Sequence, residues 1–228
     1  MSPENFLTQV ELERSWREEE IRSLNNIMER SDDNNAYMMR RAVVCLLYAH
    51  IEGFVKFSFN LYIDGINKME LKCSQVKPIL AAAVHYSDLL KMNNPDIKNR
   101  IFKKALPDDS HLHRICRYEE FFEKISNVMD EKIFIEDGYV NTESNVGKEV
   151  LQKLLYQVGL SHTSLNNVIG PLTRLKNKRN DISHGVDKAK IEYDEYRIYY
   201  DCSINIMGEL IKVLFSAYQK KDFILVKN

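Results

Sequence analysis

The chain has 228 residues, 44% of them hydrophobic and 29% charged, and a formal net charge of −1 at pH 7. A chain of this length supports one sizeable core and buries roughly 70–75% of its unfolded surface. The near-zero charge excludes a protein that coats nucleic acid by global basicity, so any such contact rests on a local patch.

Eight Gly and five Pro leave few breaks, which favours long helical segments. Ser2-Pro3-Glu4 reads as a helix start, with a capping hydroxyl, a proline at the first position and an acid in the first turn. The stretch to about Arg30 carries Phe6, Leu7, Val10, Leu12, Trp16, Ile21, Leu24 and Ile27 at loosely helical spacing. Ser31 to Asn35 is a turn and the cap of the next helix. From Ala36 to about Ile66, Val43, Leu47, His50, Phe54, Phe57 and Leu61 recur in three- and four-residue steps, and apolar residues fill the other faces as well. This predicts the central core helix. Ser74 to Leu90 reads as a shorter helix, Ile97 to Ala105 as a short basic one, and Cys116 to Val128 as another. Pro107 to Ser110 breaks the chain between the last two.

Residues 130–147 differ, and predict an irregular loop or a small β-hairpin about Asp137-Gly138. Thr142 and Asn145 are both candidate caps for a helix from Val146 to Val158, which Gly159 ends. A further helix from about Ser161 breaks near Gly170-Pro171 and resumes to His184, where Gly185 suits a positive φ. Tyr193 to Tyr218 is the last long helix, and Phe223 to Val226 a short extended tail. The expectation is an all-α fold in one domain over 1–228, with its core at about 10–218. A helical core with an inserted segment is the alternative.

Cys45, Cys73, Cys116 and Cys202 are scattered and form no Cys-x-x-Cys pair, so neither a zinc site nor a disulfide framework is supported. Reduced, mostly buried thiols in a cytoplasmic protein are the expectation. The N-terminal segment has no apolar signal core, and the apolar run Ala42 to Ala49 is too short to span a bilayer. No export and no membrane insertion are expected. His111 and His113, beside Asp108 and Asp109, do not have a spacing diagnostic of a metal site, so no metal and no cofactor are expected.

The chemistry concentrates in Arg179-Asn180-Asp181-Ile182-Ser183-His184-Gly185. Arg neutralises a phosphate bidentately, and His moves a proton near neutral pH. Together they suit metal-free RNA cleavage, in which the 2′-OH attacks its own phosphate. Residues five apart on a straight helix lie about 140° apart, so Arg179 and His184 cannot share one narrow face. Either the Arg side chain wraps, or the helix ends at His184, or a second subunit supplies one partner. Asn180 and His184, four apart, do share a face. Arg174, Lys176 and Lys178 form a basic rim before the motif and are candidate RNA contacts. Each feature also has a plainer reading. His184 is then a dipole-stabilised helix end, Glu52 and Lys56 an intrahelical ion pair, His50 a core histidine, and Tyr193, Tyr196, Tyr199 and Tyr200 packing residues rather than base-stacking platforms.

The Arg-Asn-x-x-x-His-Gly sequence at the end of a helical region resembles the HEPN superfamily, small helical bundles that include metal-independent ribonucleases. Two further segments narrow the likeness. Tyr48-Ala-His50-Ile-Glu52-Gly53-Phe54-Val-Lys56 is similar to the early helix of the MAE-type HEPN-like nucleases. Asn141-Thr142-Glu-Ser144-Asn145-Val is similar to their Thr-x-Ser-Asn segment before the catalytic helix. The order of the three also matches, and the likeness spans roughly residues 10–215. Ser183 departs mildly from the Ala common before the His. The resemblance implies an HEPN-like helical bundle and a homodimer whose motifs face each other. It implies Arg179, Asn180 and His184 as catalytic residues, with Glu52, Tyr48 and His50 as supporting candidates. It implies a prokaryotic toxin or phage-defence endoribonuclease acting on RNA and restrained by an antitoxin or immunity protein. The alternatives are a non-catalytic module that binds RNA or nucleotide and regulates a partner, and a purely structural helical scaffold.

Overall fold

The computed structural model describes residues 1–186 and 188–226. Among the described residues there are eight α-helices and no β-strand. They are α1 (Pro3–Glu29), α2 (Asp33–Asn67), α3 (Pro78–Val84), α4 (Tyr86–Asn93), α5 (His111–Val128), α6 (Lys148–Gln157), α7 (Leu172–Ser183) and α8 (Tyr193–Lys220). The fold is all-α. It divides into two compact units, one formed by Met1–Gly65 and Val140–Asp222, the other by Ile66–Tyr139 and the segment that starts at Phe223.

The first unit is built on α1, α2, α6, α7 and α8. The Ser2 hydroxyl accepts the Asn5 N–H at 3.2 Å, with Pro3 in the first turn, as the sequence predicts. The 35-residue α2 is apolar enough by composition to cross a bilayer. Its Val44, Leu47, Ile51, Phe54, Val55 and Phe59 are fully buried inside the protein, so burial on several faces accounts for that composition. Phe6 of α1 stacks on Tyr218 of α8 with ring centroids 4.9 Å apart, and Tyr62 of α2 meets both rings edge-on. These three aromatics join three helices that are distant in sequence. Gly65 is required at this joint, because a Cβ there would lie 2.5 Å from the Tyr218 ring.

The second unit carries α3, α4 and α5, and here several expectations need correction. The single helix expected over Ser74 to Leu90 is a 3₁₀ turn at Cys73–Gln75 followed by two short helices. His85 interrupts them at φ −92° and ψ 8°; its buried ring lies 3.3 Å from the Val128 carbonyl oxygen and 3.6 Å from Cys73 Sγ. Satisfying that imidazole fixes the kink. The basic helix expected over Ile97 to Ala105 is a run of turns. The Asn99 side chain accepts the N–H groups of both Ile101 and Phe102, at 2.9 and 3.0 Å, and so competes with helical hydrogen bonding. The following helix begins at His111 rather than Cys116. Of the two forms expected near 130–139, the irregular one occurs. Lys132 makes one isolated antiparallel bridge to Lys72, and the Asn67 amide exchanges two 3.0 Å hydrogen bonds with the Ile135 backbone. The tail is extended, with Ile224 bridged to Val76 and Phe223 fully buried.

Two more boundaries move in the first unit. The helix after the Thr142 segment starts at Lys148 with Gly147 as its cap, because Thr142 is engaged elsewhere. Residues 161–170 form turns pinned by buried Leu165 and Ile169, not a helix.

Gly65→Ala is expected to lower unfolding free energy by about 1–3 kcal/mol through overpacking against Tyr218. Gly170→Ala, whose Cβ would meet nothing within 4 Å, serves as control and should shift the urea midpoint little.

Candidate functional site

Within the first unit, the motif residues of α2 sort by helical face. Tyr48 and Glu52 stand four apart and share one side. His50 and Gly53, three apart, share another and meet α1. This division places two of the three α2 candidates together and separates the third.

Arg179 enters from α7 and is held on three sides. Its guanidinium carbon lies 3.9 Å from the Tyr48 ring centroid. Nη2 stands 3.8 Å from Glu52 Oε2 and donates to the Ser144 carbonyl at 3.3 Å. The other Glu52 oxygen accepts the Thr142 hydroxyl at 3.2 Å. Glu52 therefore turns to Thr142 and Arg179; among the described residues the Glu52–Lys56 ion pair is not made, and Lys56 is exposed. Tyr48 is 1% exposed, and burial, reinforced by the Glu52 charge, raises its phenol above the usual value while Arg179 pulls it back. Its hydroxyl lies near Arg179 and the Val146 backbone without hydrogen-bond geometry. Among the described residues the Tyr48 hydroxyl, Arg179 Nε and Asn145 Oδ1 are buried with no hydrogen-bond partner. Such atoms cluster where a structure has something left to bind or arrange.

The chain that brings Ser144 to Arg179 is strained. Glu143 and Ser144 both take left-handed conformations, at φ 56° and 50°. Each costs a non-glycine residue on the order of 1–2 kcal/mol. The turn is held by the Asn141 side chain, which accepts the Glu143 N–H at 2.8 Å, and by Lys153, which bridges the Asn141 carbonyl and the Glu143 carboxylate.

The helix carrying Arg179 ends at His184. Val186 N–H bonds the Asp181 carbonyl at 2.9 Å and Gly185 N–H the Ile182 carbonyl at 3.1 Å, with Gly185 at φ 69°. This is a Schellman termination with His184 as the C-cap. The helix end at His184 is the second of the three arrangements the sequence left open. Arg179 turns inward on the helix, while the His184 ring is exposed and makes no hydrogen bond or ion pair among the described residues. Asn180, half-exposed, follows Arg179 directly.

The other candidates divide. His50 is 5% exposed, and its partners lie on α1: Glu20 Oε2 at 3.0 Å, off the axis of a hydrogen bond, and the edge of Trp16. It does not join the Arg179 cluster. Arg17 donates to the His50 carbonyl and crosses Gly53 so closely that a Cβ there would lie 2.9 Å from its Nη2. Of the basic rim, Arg174 is exposed, Lys176 runs along Gly147, and Lys178 Nζ sits 3.2 Å from Glu195. Tyr196 and Tyr199 are buried and pack, Tyr196 donating to Asn25 at 3.0 Å. In the second unit, His113 is buried and its Nδ1 accepts the Asn99 N–H at 3.2 Å. Sequence reasoning missed Thr142 as the partner of Glu52 and Ser144 as the carbonyl that receives Arg179. The Asn141–Val146 segment carried the signal, but no local rule pairs Thr142 with a residue 90 positions away.

A model of the family described as HEPN_MAE_28990:/-like HEPN matches residues 6–223, and the chain belongs to that family. No curated protein and no solved structure matches it.

Glu52 and Arg179 form a partly buried charge pair, so a double-mutant cycle of Glu52→Gln and Arg179→Met in urea unfolding should give a coupling of about 1 kcal/mol. Zero coupling would mean that Tyr48 and Ser144 alone hold the guanidinium. His50 supplies a pH dependence. Burial lowers its pKa, outweighing the attraction of Glu20, and Arg17 adds to the lowering. The unfolded chain therefore binds this proton more readily than the folded one. Its contribution is present above about pH 6.5 and is lost as pH falls through the lowered folded value. Thermal midpoints from pH 8 to 5 should fall over that window, with a smaller fall in His50→Gln.

Proposed function

We propose that this member of the MAE_28990-like HEPN family is an endoribonuclease that cleaves RNA by 2′-OH transesterification without a catalytic metal. The observation that carries the reading is the last turn of α7. A guanidinium is held from behind by Tyr48, Glu52 and the Ser144 carbonyl, and an exposed imidazole stands at the Schellman end one turn further on. An Arg arranged before substrate arrives loses little entropy when it meets a phosphate.

In this mechanism His184 takes the proton from the 2′-OH, or gives one to the departing 5′-oxygen. The 2′-oxygen bonds to phosphorus as the P–O5′ bond breaks, leaving a 2′,3′-cyclic phosphate. A positioned imidazole contributes about 10²–10⁴-fold to such proton transfer. Arg179 stabilises the charge that grows on the non-bridging oxygens, and Asn180 orients His184 or the ribose. Two copies in a homodimer divide the acid and base roles. Exposed Arg174 is the basic contact best disposed to meet the RNA backbone, since Lys178 is engaged by Glu195. DNA, which lacks the 2′-OH, resists this route. In the cell the activity is that of a cytoplasmic toxin or phage-defence effector restrained by an antitoxin or immunity protein.

One observation favours the second reading, a non-catalytic module that binds RNA or nucleotide and regulates a partner. Arg179 already has partners within the chain, as a structural Arg would.

Labelled RNA incubated in excess EDTA separates the two. Wild-type protein is expected to produce fragments with cyclic-phosphate ends. His184→Ala, matched for fold and mass, should be slower by at least about 100-fold. Binding without cleavage by both proteins would favour the second reading.

A further inference from the structure

We infer that the outer face of α5, in the second unit, is a contact surface for a second copy of this chain, the two α5 helices pairing in parallel. The inward side of α5 is already occupied. Arg117 donates to the carbonyls of Met92 and Ile97 at 3.0 and 2.7 Å, and His113 is buried. A second apolar stripe runs along the same helix in solvent. Ile115, Tyr118, Phe122 and Ile125, with Met129 just past the helix end, are 45, 38, 66, 45 and 48% exposed.

Their spacing alternates three and four, which is the a/d seam of a coiled coil. At about 100° per residue, all five fall within an arc of about 80°. A face this narrow and continuous is not the scatter of single apolar residues normal on a surface. It exposes on the order of 500 Å² of mostly apolar area, at the upper end of what monomers leave in contact with water. Two copies joined on it would bury about 1,000 Å² in all, the threshold for a specific interface.

Charge selects the occupant and its direction. Arg114 and Glu119 flank the stripe, both exposed, and neither makes an ion pair among the described residues. Five apart on one helix, they point about 140° away from each other and cannot pair within it. In a parallel, in-register pair, the residue before an a position lies against the residue after the d position of the partner. Arg114 then meets Glu119 of the second copy, and the twofold axis repeats the contact. The seam is therefore complementary to itself, which a surface for an unrelated helix has no need to be.

This inference stands on α5 and does not depend on the nuclease reading. The test is the mass of the full chain in solution by sedimentation velocity at tens of micromolar. Phe122→Glu with Ile125→Glu alters only exposed positions and should keep wild-type helicity by circular dichroism, while the assembly falls to half the wild-type mass. Arg114→Glu alone and Glu119→Arg alone should each weaken self-association by at least about tenfold. Mixed together, the two single variants should associate with each other in preference to themselves, because their charges are again opposite. A monomeric wild-type chain overturns the inference, as does an unchanged mass in the double variant. If the mixed variants gain nothing over either alone, the parallel register is wrong. RNA cleavage that persists while the α5 variants leave the mass unchanged would overturn this contact and leave the nuclease reading standing.

Discussion

The candidate site depends on one requirement: the guanidinium of Arg179 must be held at the rim of a helical core by protein groups and not by water alone. Tyr48 and Glu52 meet it together. The aromatic face offers a desolvated cation its quadrupole, and the carboxylate offers a full charge at 3.8 Å. Neither suffices by itself. The ring supplies no hydrogen-bond acceptor in its plane, and the carboxylate at that distance makes an ion pair rather than a hydrogen bond. The Ser144 carbonyl supplies the missing acceptor. The strained backbone at Glu143 and Ser144 follows from this demand, since the carbonyl reaches Arg179 from a turn with two left-handed residues.

The α2 helix turns that local demand into a property of the fold. Tyr48 and Glu52 face the Arg179 cluster, while His50 and Gly53 face α1. One short segment therefore joins two contacts. A side chain at Gly53 would push on Arg17, whose Nη1 is also 2.8 Å from Glu13. Gly53 is a packing residue, and the close approach of Arg17 accounts for a glycine in the interior of a helix despite its poor propensity.

The end of α7 sets a half-buried, partnered group beside an exposed one. Arg179 is fixed and loses little freedom when it meets an anion, whereas His184 is left in water, where it can exchange protons. The Schellman turn sets the His184 backbone at the helix end and lets the chain leave the helix. The second unit contributes a different kind of surface, an apolar seam on α5 flanked by opposite charges.

Several elements were determined by the sequence alone. The Ser2-Pro3-Glu4 start, the α2 core helix, the Gly185 termination and the all-α class follow from capping chemistry, spacing and sparse Gly and Pro, all of which act over a few residues. The Arg179-Asn180-His184 motif was equally legible, because its residues lie within one turn and a half. Tertiary structure decided the rest. It drew Asn99 to His113 and Cys116 where a helix was expected over Ile97 to Ala105, and it split α3 from α4 at a buried imidazole. It also drew Thr142 from a capping role to Glu52 and sent His50 to α1 while Tyr48 and Glu52 took Arg179. The reason is one of range. Helix spacing places side chains on faces, but which face meets which partner depends on packing between segments roughly 30 to 130 residues apart, and only the folded chain brings those together.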